Sequence, residues 1–547
     1  MAVRTVANPS AGLTRTEKIL ATAGIMLALL LATLDQTIVG TALPRIVSEL
    51  NGFDRYTWLV TGYLVSSTVI TPIAGKLGDQ FGRKPFLLTG MIGFVAASAL
   101  CGLAQDMTQL IVFRIVQGGF GGVLFASAFT TLADIFPPEQ RAKMQGLFGA
   151  VFGISAIVGP LLGGFITDNW GWRWVFEVNI PVGIAGVAVV ALFLPFVRSR
   201  HSSWRDIDFI GSVTLAAGLI PLLIALSTAR EKGWTSPQVT GLIAFSVVVL
   251  VAFFFIEQRA KEPIVPFALF KIPAFTVSVT VGFITAVGMF GAIIFVPLEL
   301  QGVLSASVTN SGLQLTPMMA GLILSSVAAG QIMVRVKWYR FLGTLGALVM
   351  AFGLFGLAGT TINSHQSDIT KDMILIGIGL GVSFPLYINA VQSALPQKYL
   401  GVGTSQIQFW RNMGGTISSA VLGSILAQRL PIAIADETGR LKLPAGFKPS
   451  GALSGSNPNA LLDPNALAAA RAKLPVQAMP LFDQFLHAVR VGLASSLQEI
   501  FLIAAAIALV AAVVSLFMPY VELRKGMRPS FGAEEAPIPA GATPEPA

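Results

Sequence analysis

Residues 75–86 read GKLGDQFGRKPF and lie between two long apolar runs. Three glycines, one proline and the charges of Lys76, Asp79, Arg83 and Lys84 stand together there. A soluble core has no use for such a hinge, and a hydrocarbon core does not tolerate its charges. The stretch therefore reads as a short loop where two membrane spans meet water. Composition agrees: 54% of the 547 residues are hydrophobic and only 12% are charged, about half the usual share of a soluble domain. Hydrocarbon must be the solvent for most of this chain.

Working outward from the loop, apolar runs near 19–43, 56–77, 86–105, 108–135, 142–167, 173–197, 207–229, 238–257, 273–300, 308–334, 338–361, 371–395, 400–429 and 491–520 predict fourteen helical spans. The fold class is an all-α polytopic membrane protein. A closed β-barrel would show short alternating segments instead. The first run follows a polar segment and is long enough to span, so it does not read as a cleaved signal. Lysines and arginines then set the orientation. The termini and even-numbered loops hold Arg4, Arg15, Lys18, Lys76, Arg83, Lys84, Arg141, Lys143, Arg198, Arg200, Arg205, Arg335, Lys337 and Arg340. The odd loops hold Arg45, Arg55, Arg173, Arg230, Lys232 and Lys371. Both termini are expected in the cytoplasm. The net charge of +9 is thereby explained without nucleic acid. One cysteine, Cys101, and three scattered histidines exclude a disulfide framework and a metal cluster.

An internal repeat organises the spans. GKLGDQFGRK from Gly75 has a degraded echo in GQIMVRVKWYR from Gly330, and PEQRAKMQG from Pro138 has one in PQKYLGVG from Pro396. The spacing predicts a cytoplasmic segment 1–18, a six-helix half 19–200, an inserted two-helix hairpin 201–262, a second six-helix half 263–522 with an outer segment 430–490, and a cytoplasmic tail 523–547. Parallel halves of this kind carry a central site between them in transporters. Gly75, Gly78 and Gly82 then allow tight turning and close helix approach, and Pro85 suits the first turn of the third span. Asp79 can pair with a cation or cap a helix N-terminus. Together with Arg83, Lys84, Asp134 and Arg141 they predict a cytoplasmic latch, whereas the plain alternative makes the cations topology determinants only.

These residues resemble a known family. GKLGDQFGRK is similar to the signature loop of the major facilitator superfamily, and RIVQGGFGG (Arg114, Gln117, Gly118) to its span-four motif. GPLLGG, with Gly159, Pro160, Gly163 and Gly164, resembles the antiporter motif of span five. LDQTIVGTALP (34–44) and WRWVFEVNIPVG (172–183) resemble signatures of its fourteen-span drug:proton antiporter branch, the EmrB/QacA subfamily. Departures are Gln80 in place of a basic residue, Gly40 in place of Asn, and Val334 where the second half would match Asp79; the last makes any charge latch asymmetric. The resemblance implies multidrug efflux driven by the proton gradient, with H+ as coupling ion and no other cofactor. It also implies a bacterial cytoplasmic (inner) membrane location and function as a monomer.

Ionisable groups at membrane depth are costly and so are candidates for function. Asp35 lies about eight residues, roughly 12 Å, from the outer end of span one, facing either the cavity or a partner. Desolvation and a nearby cation pull such a carboxylate in opposite directions, as proton coupling requires; a structural hydrogen-bonding role is the alternative. Arg114 either holds a carboxylate ionised until a competitor arrives or makes a fixed pair. Glu299 joins these as a coupling candidate, whether buried in span nine or set at the outer interface. Gln36, Gln117, Arg411 and Asn412 are candidates for the substrate cavity. Trp58, Tyr63, Phe290, Tyr387 and Trp410 are aromatic candidates, with interfacial anchoring as the alternative.

Within 430–490, PNALAAARAKL predicts a short helix and MPLFDQFLHAVRVGL an amphipathic helix on the membrane surface. The segment is expected to be a lid, a dock for a periplasmic or extracellular accessory protein, or a passive connector. Among function classes, an ATP-driven pump lacks a G-x-x-x-x-G-K-[ST] stretch, and an enzyme lacks a cluster of catalytic residues. A proton-coupled exporter of amphipathic small molecules leads. A lipid or glycolipid exporter, using the hairpin and the outer segment, is the alternative.

Overall fold

The computed structural model describes residues 14–50, 57–136, 138–195, 208–304, 315–335, 340–396, 399–440 and 479–521. Among the described residues the chain is helical, without strands. The first half comprises α1 (Arg15–Glu49), α2 (Thr57–Phe81), α3 (Arg83–Gly102), α4 (Met107–Ile135), α5 (Pro138–Asn169), the single turn α6 (Trp174–Glu177) and α7 (Asn179–Phe193). Then come α8 (Phe209–Lys232) and α9 (Pro237–Glu257). The second half comprises α10 (Pro273–Gly302), α11 (Leu315–Arg335), α12 (Arg340–Ala358), α13 (Gln366–Ala394), α14 (Leu400–Arg440) and α15 (Met479–Leu516). With α6 and α7 counted as one crossing, fourteen segments are long and apolar enough to span a membrane, the number expected from the sequence.

Local chemistry sets the helix ends. The Thr14 backbone N–H donates to Glu17 Oε2 at 2.7 Å, and the Glu17 N–H donates to Thr14 Oγ1 at 3.3 Å. This reciprocal cap starts α1. Asp106 accepts from the Gln109 N–H at 2.9 Å and starts α4. Between α2 and α3 the chain reverses through Gly82 alone, at φ 98°, a conformation that costs a residue with a Cβ. Residues 75–86 thus form the two helix ends on either side of that turn, with only Gly82 outside the helices.

Within the first half α1 packs on α4, α5 and α7, and α4 packs on α2 and α3. The second half repeats the pattern with α10 against α13, α14 and α15. The halves meet along two seams, α2 with α14 and α5 with α11. The hairpin lies over the first seam. Its Leu215, Leu219 and Leu223 share an apolar cluster with Val65 and Val69 of α2 and Phe409 and Met413 of α14, and Trp234 Nε1 donates to Ser424 Oγ at 2.8 Å. α9 turns Val248 and Phe255 outward, at 67% and 57% exposure, which suits a lipid-facing wall.

The segment 430–490 departs from expectation. α14 runs 41 residues to Arg440, and α15 runs 38 residues from Met479. Each is roughly 60 Å long at 1.5 Å per residue, against a hydrocarbon layer of about 30 Å. The stretch 479–493 is the first part of α15, continuous with the spanning run that follows, and not a separate helix. Its apolar face is already satisfied: Phe485 and Val489 pack with Leu430 and Ile434 of α14, and a Cβ on Gly492 would meet the Ile434 nitrogen at 3.0 Å. The short helix expected within 464–474 and the tail 523–547 lie outside the described residues.

The GPLLGG stretch brings α5 against α1. A Cβ on Gly159 would collide with Thr37 Oγ1, and one on Gly163 would meet the Ile38 carbonyl at 2.7 Å. At Gly164 the space is open, with nothing within 4 Å. Gly163→Leu is therefore expected to cost about 1–3 kcal/mol through overpacking, while Gly164→Leu is tolerated. Thermal melts of the two purified variants check this; equal melting temperatures would contradict the close approach.

Candidate functional site

Asp35 sits in the middle of α1 and is fully buried. Four polar side chains converge on it or on its partners. Arg114 of α4 donates to Asp35 Oδ2 at 2.5 Å. Gln117 Nε2, one helical turn on, donates to Oδ1 at 2.9 Å, and Asn179 Nδ2 from the start of α7 donates to the same oxygen at 3.0 Å. Ser98 Oγ of α3 accepts from both amides at 3.0 Å. The guanidinium also donates to Gln117 Oε1 at 2.7 Å and to the Leu59 carbonyl at 3.3 Å, and its Cζ lies 4.5 Å from the Tyr63 ring centroid. A charge pair removed from water needs such saturation of its remaining hydrogen-bond sites to be tolerated.

A central cavity of about 910 Å³ lies between the halves. It reaches from the level of Phe125, Phe152 and Phe384 towards Leu43, Gly302 and Arg490, at the end opposite the termini. Gln36, Tyr63, Phe290, Arg411 and Asn412 line it. Arg114 is in the wall too, while Asp35 is not. The carboxylate lies one side chain behind the surface, with Arg114 and Tyr63 between it and the open space.

Three expected cavity residues are placed elsewhere. Gln117 is fully buried in the Asp35 network. Tyr387 turns away to donate to Ser515 Oγ at 2.9 Å, tying α13 to α15. Trp410 packs on Phe270, Phe283 and Phe409 on the hairpin side of α14. Its neighbour Arg411 faces the cavity, and one residue is about 100° of helical rotation. The aromatic floor is instead Phe125, Phe152 and Phe384: Phe125 stacks on Phe152 at a centroid separation of 5.9 Å, and Phe384 meets Phe152 tilted at 5.6 Å. Glu299 is buried in α10 rather than at the rim, accepting from Thr360 Oγ1. It does not line the cavity.

The opening loop closes the end that carries the termini. Asp79 accepts from the backbone N–H groups of Gly401 at 3.1 Å and Val402 at 2.8 Å. These are the first, otherwise unsatisfied, donors of α14, so the carboxylate caps a helix of the opposite half and meets the positive end of its dipole. Arg83 pairs with the same carboxylate and, through Nε, with Asp134 at 3.0 Å. Gly75 gives α2 room against Ser405 of α14, and Gly401 gives room for Asp79. A Cβ on Gly78 would crowd the Arg83 guanidinium at 3.1 Å. Lys84 Nζ donates to the Ala191 carbonyl at 2.7 Å, and Arg141 Nε to the Phe136 carbonyl at 3.0 Å; both fasten elements within the first half. Lys76 pairs with Glu262 at 2.5 Å, in the stretch that follows the hairpin.

Asn179, Ser98, Gly401 and Glu262, together with the floor residues Phe125, Phe152 and Phe384, are contributors that sequence reasoning does not single out. Asn179 lies inside WRWVFEVNIPVG, and Gly401 inside the echo PQKYLGVG, so both stretches were visible while the roles were not.

Residues 25–419 match the family profile described as Major Facilitator Superfamily. The multidrug transporter protein MdtP of Bacillus subtilis (strain 168) is 42% identical over 407 residues, covering 74% of this chain and 75% of that protein. Multidrug resistance protein 3 of the same organism is 34% identical over 498 residues, covering 90% and 94%. Among solved structures, the proton:xylose symporter XylE bound to 6-bromo-6-deoxy-D-glucose superposes with a TM-score of 0.58 at 14% identity, covering 93% of this chain and 97% of that one. At that identity the likeness concerns the fold alone.

Asp79→Asn is expected to weaken the latch. Hydrogen bonds to a charged group contribute about 1.5–3 kcal/mol each, so losing the charge shifts the closed-to-open ratio at least about tenfold. Spin labels at Arg15 and Arg335, one on each half, should then report a larger population of long distances. An unchanged distance distribution would contradict the latch.

Proposed function

We infer the activity from one premise: this chain belongs to the Major Facilitator Superfamily. We propose that it is a proton-coupled secondary active exporter, exchanging H+ for amphipathic or hydrophobic small molecules by alternating access. The names of the two bacterial relatives, a multidrug transporter and a multidrug resistance protein, support export of drug-like compounds. The distribution of lysine and arginine supports a cytoplasmic location for both termini. With that orientation the cavity opens outward and the Asp79 latch closes the cytoplasmic side.

The observation that carries the reading is the Asp35–Arg114 pair directly behind the cavity wall. In the outward state a proton from the cavity reaches Asp35 past Arg114 and Tyr63. Neutralising the carboxylate removes its attraction for the guanidinium, and Gln117 and Asn179 remain to hold a neutral acid. The pair is a two-state element whose equilibrium the proton biases. When the halves rock, α14 leaves Asp79, the latch opens, and the proton is released to the cytoplasm as substrate occupies the cavity. Glu299, buried with one carboxylate oxygen lacking a hydrogen-bond partner, is a second candidate for proton binding in the other half.

Purified protein in vesicles with an imposed pH gradient tests this. Wild type is expected to concentrate a lipophilic dye against its gradient, and Asp35→Asn to lose that accumulation. Removing one member of a buried pair destabilises by about 3–5 kcal/mol, so Asp35→Asn with Arg114→Gln restores charge balance as a folding control; it too should fail to concentrate dye. Undiminished gradient-driven accumulation in either variant would overturn the coupling role. Insensitivity to many unrelated dyes, with an altered envelope lipid profile on deletion, would favour a lipid substrate instead.

A further inference from the structure

The cavity has an uneven charge. Among the described residues that line it, the charged ones are Arg114, Arg411 and Arg490, and no carboxylate is present. Arg114 is neutralised from behind by Asp35. Arg411, about three turns into α14 and only 4% exposed, is not. Neither Nη1 nor Nη2 of its guanidinium has a hydrogen-bond partner. Its Cζ lies 3.8 Å from the Phe384 ring centroid, so one face is covered by an aromatic ring. A ring face attracts a cation but supplies no acceptor in the plane of the guanidinium. Buried donors that are left unpaired cost free energy, and a site that retains them is matched to an acceptor it does not yet hold.

The surroundings define that acceptor. Phe384 is the end of the row Phe125, Phe152, Phe384 on the cavity floor, tilted against Phe152, and Phe290 adds a further ring in the wall. Gln408 and Asn412, hydrogen-bonded to each other at 3.0 Å, stand one turn apart beside Arg411 and also face the space. A planar apolar body fits the phenylalanine floor, while a carboxylate, phenolate or sulfonate meets the planar fork of Arg411. A permanent organic cation would face Arg411 and Arg490 with no carboxylate in the wall.

We propose that Arg411 anchors an anionic group of the transported molecule, and that the cavity selects aromatic or polycyclic anions over cations of similar size. The assignment rests on the reading of this cavity as the substrate chamber, but not on proton coupling. Recognition is divided between the halves: the aromatic floor comes largely from α4 and α5, and the anion anchor from α14. The Asp35–Arg114 network is thereby left free for the proton.

Binding without any gradient tests the assignment separately from transport. Three fluorescent probes are titrated into the purified protein in nanodiscs of neutral lipid: 8-anilinonaphthalene-1-sulfonate as the aromatic anion, ethidium as the cation, and Nile red as the neutral body. Wild type should bind the anion at least tenfold more tightly than ethidium. Arg411→Gln should weaken anion binding at least tenfold and leave Nile red within twofold. Arg411→Lys should recover part of the anion affinity, because a charge remains without the planar fork. Anion affinity unchanged in Arg411→Gln would overturn the proposal, as would wild-type preference for ethidium. Equal loss of all three probes in Arg411→Gln would also overturn it, since the guanidinium would then be holding the fold together.

Discussion

A carboxylate and a guanidinium buried together where water is scarce are the constraint around which the first half is organised. Neither Asp35 nor Arg114 can be left alone at that depth. The pair requires α1 and α4 to pack at one register, and saturating it recruits Gln117, Ser98 of α3 and Asn179 of α7. Four helices are thus fixed by one ionic contact. The free energy of a buried pair is a small difference between large opposing terms, and in the proposed mechanism one proton changes which arrangement is favoured. That property makes the pair suitable for coupling.

The second half is built on a different economy. Its cation, Arg411, has a ring against its face and no acid. The asymmetry extends to the latch, where Asp79 reaches across to the N-terminus of α14. α14 therefore carries the Asp79-capped turn at one end, Arg411 about three turns further on, and at the far end a long continuation packed on α15. In the proposed mechanism a helix so connected carries the state of the latch to the cavity as a rigid body. That coupling is mechanical and requires no chain of side-chain relays.

The topology was legible because a bilayer imposes a length on each apolar run, and fourteen runs met it. The loop 75–86 was legible because its glycines and charges have no other place to go. What was less legible followed from rotation about helix axes. Trp410 and Arg411 are adjacent in sequence, yet one faces the hairpin and the other the cavity. Of the aromatic candidates, Tyr63 and Phe290 line the cavity while Tyr387 turns to Ser515, and the floor is made of Phe125, Phe152 and Phe384, which nothing in the sequence distinguishes from the other phenylalanines. The stretch 479–493 has the polar and apolar faces of a surface helix, but its apolar face finds α14; sequence patterning shows that a face must be covered without showing by what.

The most direct measurement is infrared difference spectroscopy on the protein in lipid as pH is lowered. The account predicts a carbonyl band of a protonated carboxylic acid that appears in wild type, is absent in Asp35→Asn, and diminishes when a transported compound is bound. A band that persists unchanged in Asp35→Asn, or no band from this residue across the pH range in which transport runs, would mean that Asp35 stays ionised beside Arg114 and does not carry the proton.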